Sequence, residues 1–310
     1  DTARPTSASV NQTSKVQRKV LLVEDNAVNQ EVVKCLLEEH GITVETASDG
    51  LEALHALNAS PAPSGFDLIL MDCQMPRMDG YETTRQIRNG GGGESYQRTP
   101  IIALTANAMP GDREKCTACG MDDYLSKPIE SDKLFAKLQH WLGLPIQPQQ
   151  AEPQQEKSQQ TALEQLMPQS HSSDAGPQAT AGMQPPQQTL PVWCEEQARD
   201  GVMGQQKTLN KLLQLFCDHV QKQLCDLDDA WKEQDLDRVG DLAHAVKGSA
   251  GQLQALRLRD TALKLEAAAK DGNTELTGEL KDRFESDCHA LCQHFREYLE
   301  ERGHDLAQSA

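Results

Sequence analysis

Short unbroken apolar runs alternate with stretches of helical period through the first part of the chain; toward its end the runs vanish and only the helical period remains. Val20-Leu21-Leu22-Val23, Phe66-Asp67-Leu68-Ile69-Leu70-Met71 and Ile101-Ile102-Ala103-Leu104 are the runs expected of strands buried on both faces. Thr43–Ala47 and Tyr124-Leu125 are weaker strand candidates. Between them the pattern predicts helices at about 27–40, 50–59, 79–89, 111–119 and 130–142, with Gly90–Gly93 as a loop. Strand then helix, five times over, predicts a parallel sheet with helices on both sides. In the last part Leu209, Leu212, Leu213, Phe216 and Val220 recur at helical spacing. So do Leu258, Ala262, Leu265 and Ala269, and so do Phe284, Cys288, Leu291, Phe295 and Leu299. With Asp271-Gly272-Asn273 as a turn, this predicts an antiparallel bundle of four helices and a shorter leading one.

Composition divides the chain where the periods change. Residues 1–17 are polar and aperiodic and read as a flexible leader. Residues 145–191 hold 13 Gln and 8 Pro among 47 residues, too little apolar surface to offset chain entropy, and read as a disordered linker. The expected domains are therefore 18–144, α/β, and 192–310, all-α and free of proline. The net charge of −17 and the 4% aromatic content exclude a phosphate-neutralising surface and base-stacking platforms, so nucleic acid is not expected as a direct partner. No run approaches 18 apolar residues, so no membrane segment is expected. Nine cysteines without disulfide-scaffold density point to reduced thiols in a cytoplasmic setting. A chain that starts at Asp1 reads as a piece of something longer.

Ligands of an open parallel sheet sit at the C-terminal ends of its strands. Those ends carry Glu24-Asp25, Asp72, Thr105 and Lys127-Pro128. Three carboxylates brought together repel unless a cation lies between them, and oxygen-only ligation suits Mg²⁺. A lysine and a hydroxyl at the same rim suit a phosphoryl group in transfer. The stretches Val20–Asn26, Leu70-Met71-Asp72-Cys73-Gln74-Met75-Pro76, Leu104–Ala108 and Asp123-Tyr124-Leu125-Ser126-Lys127-Pro128 resemble a response-regulator receiver domain across residues 19–142. The resemblance implies a five-stranded flavodoxin-like fold with Asp72 as phosphoacceptor. It also implies Mg²⁺ on Asp25, Asp72 and the main-chain carbonyl of Gln74, with Glu24 acting through water. Lys127 would bind phosphoryl oxygens, Thr105 and Tyr124 would form the switch, and Lys127–Pro128 would be cis.

Leu236, Val239, Ala243, Val246, Ala250 and Leu253 mark one buried helix face, with Asp235 as its N-cap. His244 lies off that stripe, and Lys247, Gly248 and Gly251 at i+3, i+4 and i+7 share its exposed side. Two glycines inside a helix cost about 1 kcal/mol each, which close approach of another molecule to the imidazole would explain. A neutral imidazole can attack an acyl phosphate, and Lys247 would steady the charge in transit. The stretch His244-Ala245-Val246-Lys247-Gly248-Ser249-Ala250-Gly251 resembles the phosphorylated motif of histidine phosphotransfer (HPt) domains. That implies a phosphohistidine at His244, assisted by Lys247, with Gly248 giving access. A polar residue of the preceding helix often hydrogen-bonds the histidine in this family, and here Gln221 or Gln223 could do so.

Other chemical spacings weigh less. Cys116–Cys119 stands alone inside a helix, and Cys288 and Cys292 fall on an apolar stripe where cysteine packs as a small hydrophobe. No glycine-rich nucleotide loop is present. The domain order resembles the C-terminal part of bacterial tripartite hybrid sensor kinases. It implies a phosphorelay: a kinase histidine phosphorylates Asp72, His244 receives the group, and a separate response regulator takes it on. The chain would be a phosphotransferase part whose ATP-binding core lies upstream, at the cytoplasmic end of an inner-membrane parent. A different reading is a receiver-controlled binding module that transfers nothing onward. A third, a DNA-binding regulator, lacks a recognition helix with clustered Arg or Lys.

Overall fold

A computed structural model describes residues 18–61, 65–106, 110–144 and 190–308. The expected leader, 1–17, and all of the expected linker except its last two residues lie outside the described residues. Five parallel strands, β1 (Lys19–Val23), β2 (Thr43–Ala47), β3 (Leu68–Asp72), β4 (Ile101–Thr105) and β5 (Asp123–Ser126), form one sheet in the order β2-β1-β3-β4-β5. Helices α1 (Ala27–Glu39), α2 (Gly50–Ala59), α3 (Gly80–Arg88), α4 (Pro110–Cys119) and α5 (Ser131–Leu142) alternate with them, and a single 3-10 turn spans Glu94–Tyr96. Central β3 and β4 are buried at every position, which is why their sequence is continuously apolar; edge strands β2 and β5 are not. Phe66, read into the third strand, lies just before it and packs in the core.

Strand order and register bring the acidic strand ends together. Val23 pairs with Met71 and Asp72 with Leu104, so Glu24 and Asp72 come out at one level with Thr105 one residue beyond. Thr105 pairs with Ser126, which sets Lys127 just beyond the same rim. The strand order reverses between β1 and β3, and a crevice opens at their C-terminal ends. Asn26, Asp49 and Asp79 cap α1, α2 and α3 through side-chain oxygens, closing the loops around that crevice.

The remaining helices are α6 (Glu195–Asp200), α7 (Gln206–Lys232), α8 (Leu236–Gln252), α9 (Leu256–Lys270) and α10 (Thr274–Gln308). Three-residue connections at 233–235, 253–255 and 271–273 reverse the chain between the long helices, each with one residue at positive φ: Gln234, Gln254 and Gly272. Trp193 closes one part of the bundle, its ring edge-on to Phe295 and Tyr298 and its Nε1 donating to Leu253 O at 2.9 Å. Helices α8 and α9 approach through small residues, with a Cβ at Gly240 falling 3.6 Å from that of Ala269. Leu236, expected on the buried face of α8, is only half-buried, because it is the first residue of the helix. The described residues up to Gly143 and those from Leu190 onward form one compact unit. Within it α1 packs on α7 and α8.

Candidate functional site

Asp72 ends β3 and is almost fully buried. Oxygens of Glu24, Asp25 and Asp72 lie within 4.8 Å of one another. Lys127 Nζ sits between two of them, 2.6 Å from Asp72 Oδ2 and 2.7 Å from Glu24 Oε2. The Lys127–Pro128 bond is cis, and Lys127 N donates to Thr105 O at 2.7 Å, tying the lysine to β4. Gln74 N donates to Asp72 Oδ1 at 3.2 Å, which folds the loop after β3 over the carboxylate. Gly80 lets α3 start against β3, because a Cβ there would collide with the main-chain carbonyl of Asp72.

One ammonium does not balance three carboxylates in so dry a place. Burial and then Glu24 push the Asp25 carboxyl up to about 6, and the same two causes push Asp72 up further. Burial works against the charge of Lys127, yet Glu24 and Asp72 hold its ammonium well above the ordinary lysine range. A divalent cation on these hard oxygens would supply the missing charge, so the donor set fits Mg²⁺. Thr105 is buried at the end of β4. Tyr124, in β5, is half-buried between the cations of Arg113 and Lys137, each 5.6 Å from its ring.

The histidine expected on an exposed face is instead only about 20% exposed, walled in by α9 and the receiver side. Nδ1 of His244 lies 2.9 Å from Glu266 Oε1, so the carboxylate takes the Nδ1–H and leaves the Nε2 lone pair for chemistry. Lys247 Nζ is 2.6 Å from Glu266 Oε2 and 3.2 Å from His244 Nδ1, and Lys270 Nζ is 2.6 Å from Glu266 Oε1. Burial opposes the Glu266 charge, but bonds from His244, Lys247 and Lys270 hold its carboxyl far below the ordinary range. The bond to His244 therefore comes from the following helix rather than from Gln221 or Gln223 of α7. Close packing of α8 on α9 through alanine and glycine brings that carboxylate within reach.

Asp72, Lys127, His244 and Lys247 line one cleft of about 850 Å³. Several contacts among the described residues join its two walls. Asn26 Nδ2 donates to Ala245 O at 3.2 Å, and Gln252 bonds Ile129 through both its amide atoms. Lys211 pairs with Glu31 at 2.6 Å, and Cys35 Sγ lies 3.5 Å from Thr208 Oγ1. A Cβ at Gly248 would stand 3.4 Å from Asn29 Nδ2, so this glycine faces the receiver closely; Gly251 is covered by Arg259 instead. Glu266 and Gln252 carried no signal that sequence reasoning used, since a carboxylate 22 residues from a histidine joins it only through packing. The cysteines set aside for metal are core residues: Cys116, Cys119, Cys288 and Cys292 are buried. His289 bonds Glu285 O, and His294 stands edge-on to the Trp193 ring.

Residues 20–139 match the family model described as response regulator receiver domain, and residues 211–303 match that of the Hpt domain. Among curated proteins, sensor histidine kinase GacS of Pseudomonas protegens is 40% identical over 131 residues, 42% of this chain and 14% of that protein. Probable histidine kinase 4 of Oryza sativa is 41% identical over 143 residues, 41% of this chain and 14% of that protein. The chain thus spans about one seventh of these relatives. Among solved structures, the receiver domain of a Pseudomonas aeruginosa sensor histidine kinase, with magnesium in its active-site cleft, is 45% identical. It covers 41% of this chain and 99% of its own, with a TM-score of 0.37. A Saccharomyces cerevisiae co-crystal of a histidine phosphotransfer protein and its downstream receiver domain matches at 34% identity, 40% and 88% coverage, and a TM-score of 0.36. By these two matches residues 20–139 belong to the response regulator receiver family and residues 211–303 to the Hpt family, two domain types of two-component phosphorelay.

Proposed function

We propose that Asp72 accepts a phosphoryl group from a kinase histidine and passes it to His244, which donates it to the receiver of a separate response regulator. A carboxylate oxygen of Asp72 attacks phosphorus, the P–N bond of the donor breaks, and an acyl phosphate forms. Nε2 of His244 then attacks the same phosphorus, the P–O bond breaks, and the carboxylate is restored. The observation that carries this is the shared cleft: acceptor carboxylate and imidazole line one cavity, each beside its own lysine. Mg²⁺ held by Glu24, Asp25, Asp72 and the Gln74 carbonyl would offset phosphoryl charge. Lys127 holds the phosphoryl oxygens, Thr105 and Tyr124 respond to their arrival, and Lys247 steadies the group over His244. Gly248 keeps the receiver-facing side of α8 low, while Gly251, expected on the same surface, lies under Arg259.

On this reading the chain is the phosphotransferase part of a hybrid kinase, and the matches to histidine kinases support a parent polypeptide with its kinase core upstream. This chain would form the cytoplasmic end of such a parent, an inner-membrane sensor. Among the described residues no helix is long and apolar enough to cross a membrane.

The test supplies acetyl phosphate with Mg²⁺ and follows acid-labile phosphohistidine. Wild type should accumulate it, His244→Gln should abolish it, and Asp72→Asn should abolish it as well. Label at His244 in the Asp72→Asn chain would sink the relay.

A further inference from the structure

We propose that Gln252 is a positioning residue for transfer between the two domains, fixing helix α8 over the receiver rim by reading the main chain of Ile129. Gln252 is the last residue of α8 and is 8% exposed. Its Oε1 accepts from Ile129 N at 2.8 Å, and its Nε2 donates to Ile129 O at 3.2 Å. Both ends of one amide thus engage both polar groups of one residue, as a neighbouring strand would. Ile129 follows Pro128, two residues after Lys127, the lysine that holds Asp72. A buried amide with both partners matched tolerates little displacement, because any shift leaves polar atoms unpaired.

The second anchor lies at the middle of the helix. Asn26 caps α1, and its Nδ2 reaches Ala245 O, next to His244. From Ala245 to Gln252 is seven residues, about 10 Å along a helix axis. One anchor follows the Glu24-Asp25 loop and the other the Lys127-Pro128 loop, so α8 is pinned across the whole phosphate-binding rim with His244 beside the first. Two points fix both the slide and the swing of the helix. The more exposed contact, Lys211 with Glu31, joins side chains, and such an exposed pair contributes little energy and no register. Gln252 registers instead, because it reads backbone whose position is set by the same loop that carries Lys127.

This rests on the relay reading, and the test keeps the two apart. The full chain is loaded at Asp72 with acetyl phosphate and Mg²⁺, and phosphohistidine is followed in wild type, Gln252→Ala and Gln252→Glu. Hydrogen exchange at the Ile129 amide is measured in the same proteins. In Gln252→Ala we expect His244 to be labelled about tenfold more slowly, the scale of two neutral hydrogen bonds. Exchange at Ile129 should rise, and loading of Asp72, measured in a His244→Gln background, should stay as in wild type. Gln252→Glu keeps the acceptor for Ile129 N and loses the donor, so it should fall between. An unchanged transfer rate overturns the proposal, as does unchanged protection at Ile129. Equal loss of Asp72 loading and of transfer would mean that Gln252 only supports the fold, which also overturns it. If wild type makes no phosphohistidine, the relay itself fails.

Discussion

At the scale of single residues, the chemistry of His244 depends on a carboxylate outside its own helix. Glu266 holds Nδ1 and is itself held by Lys247 and Lys270, so one side chain orients the imidazole and anchors the nearby ammonium. Glu266→Ala should slow labelling of His244 by roughly ten- to a hundredfold, the worth of one charge-assisted hydrogen bond, with Asp72 loading unchanged. Phosphohistidine time courses check this. Glu266→Gln keeps an acceptor for Nδ1–H and should retain more activity than Ala. The folded-state pKa of Glu266 is depressed, so its charge contributes stability at and above the ordinary glutamate range, and that contribution is lost as pH falls through the folded value. The thermal midpoint of Glu266→Gln should therefore lie below that of wild type at neutral pH and converge with it in strong acid.

At the scale of elements, two glycines set how closely parts approach, and they should respond oppositely to an added methyl. Gly80 starts α3 against the main chain of Asp72, where a Cβ meets backbone that cannot yield. Gly80→Ala should cost about 1–3 kcal/mol in urea unfolding, the usual penalty of overpacking. Gly248 lies in mid-helix with 3.4 Å to the Asn29 amide, ordinary contact distance. Gly248→Ala should raise the stability of α8 by up to about 1 kcal/mol through helix propensity. Gly248→Gln, whose side chain needs the space of Asn29, should leave helicity by circular dichroism intact and slow transfer to His244. A Gln variant that transfers at the wild-type rate would show that the two walls do not meet there.

At the scale of the whole molecule, the balance of charge decides what the receiver binds. Two buried carboxylates and a half-buried one against one lysine would make the rim a cation site whose strength depends on their ionisation. A cation that binds only the folded chain adds stability by mass action. Mg²⁺ should therefore raise the thermal midpoint at pH 8. Because the Asp25 carboxyl is pushed up to about 6, protonation below that pH removes a ligand charge, and the Mg²⁺ effect should fade in acid. Asp25→Asn should show little Mg²⁺ effect at either pH. Calorimetric titration with Mg²⁺ across pH 5–8 reads the same trend.

The alternation of apolar runs and helical periods determined the (βα)5 order and the bundle, because a strand buried on both faces must be apolar at every position and a helix must bury one stripe. It also determined that Glu24, Asp25, Asp72, Thr105 and Lys127 fall at the ends of strands, and that Lys247 and Gly248 lie beside His244 on one helix. What the sequence left undecided depends on packing between distant segments. Glu266 reaches His244 only because small residues let α9 lie close to α8. Gln252 reaches Ile129, 123 residues earlier in the chain, only because α8 lies across the receiver rim. Local period records which side of an element is apolar, and it carries no information about which distant polar group comes to face the other side. The proposed phosphoacceptors were therefore legible in the sequence, while the groups that hold and register them were decided by the tertiary structure.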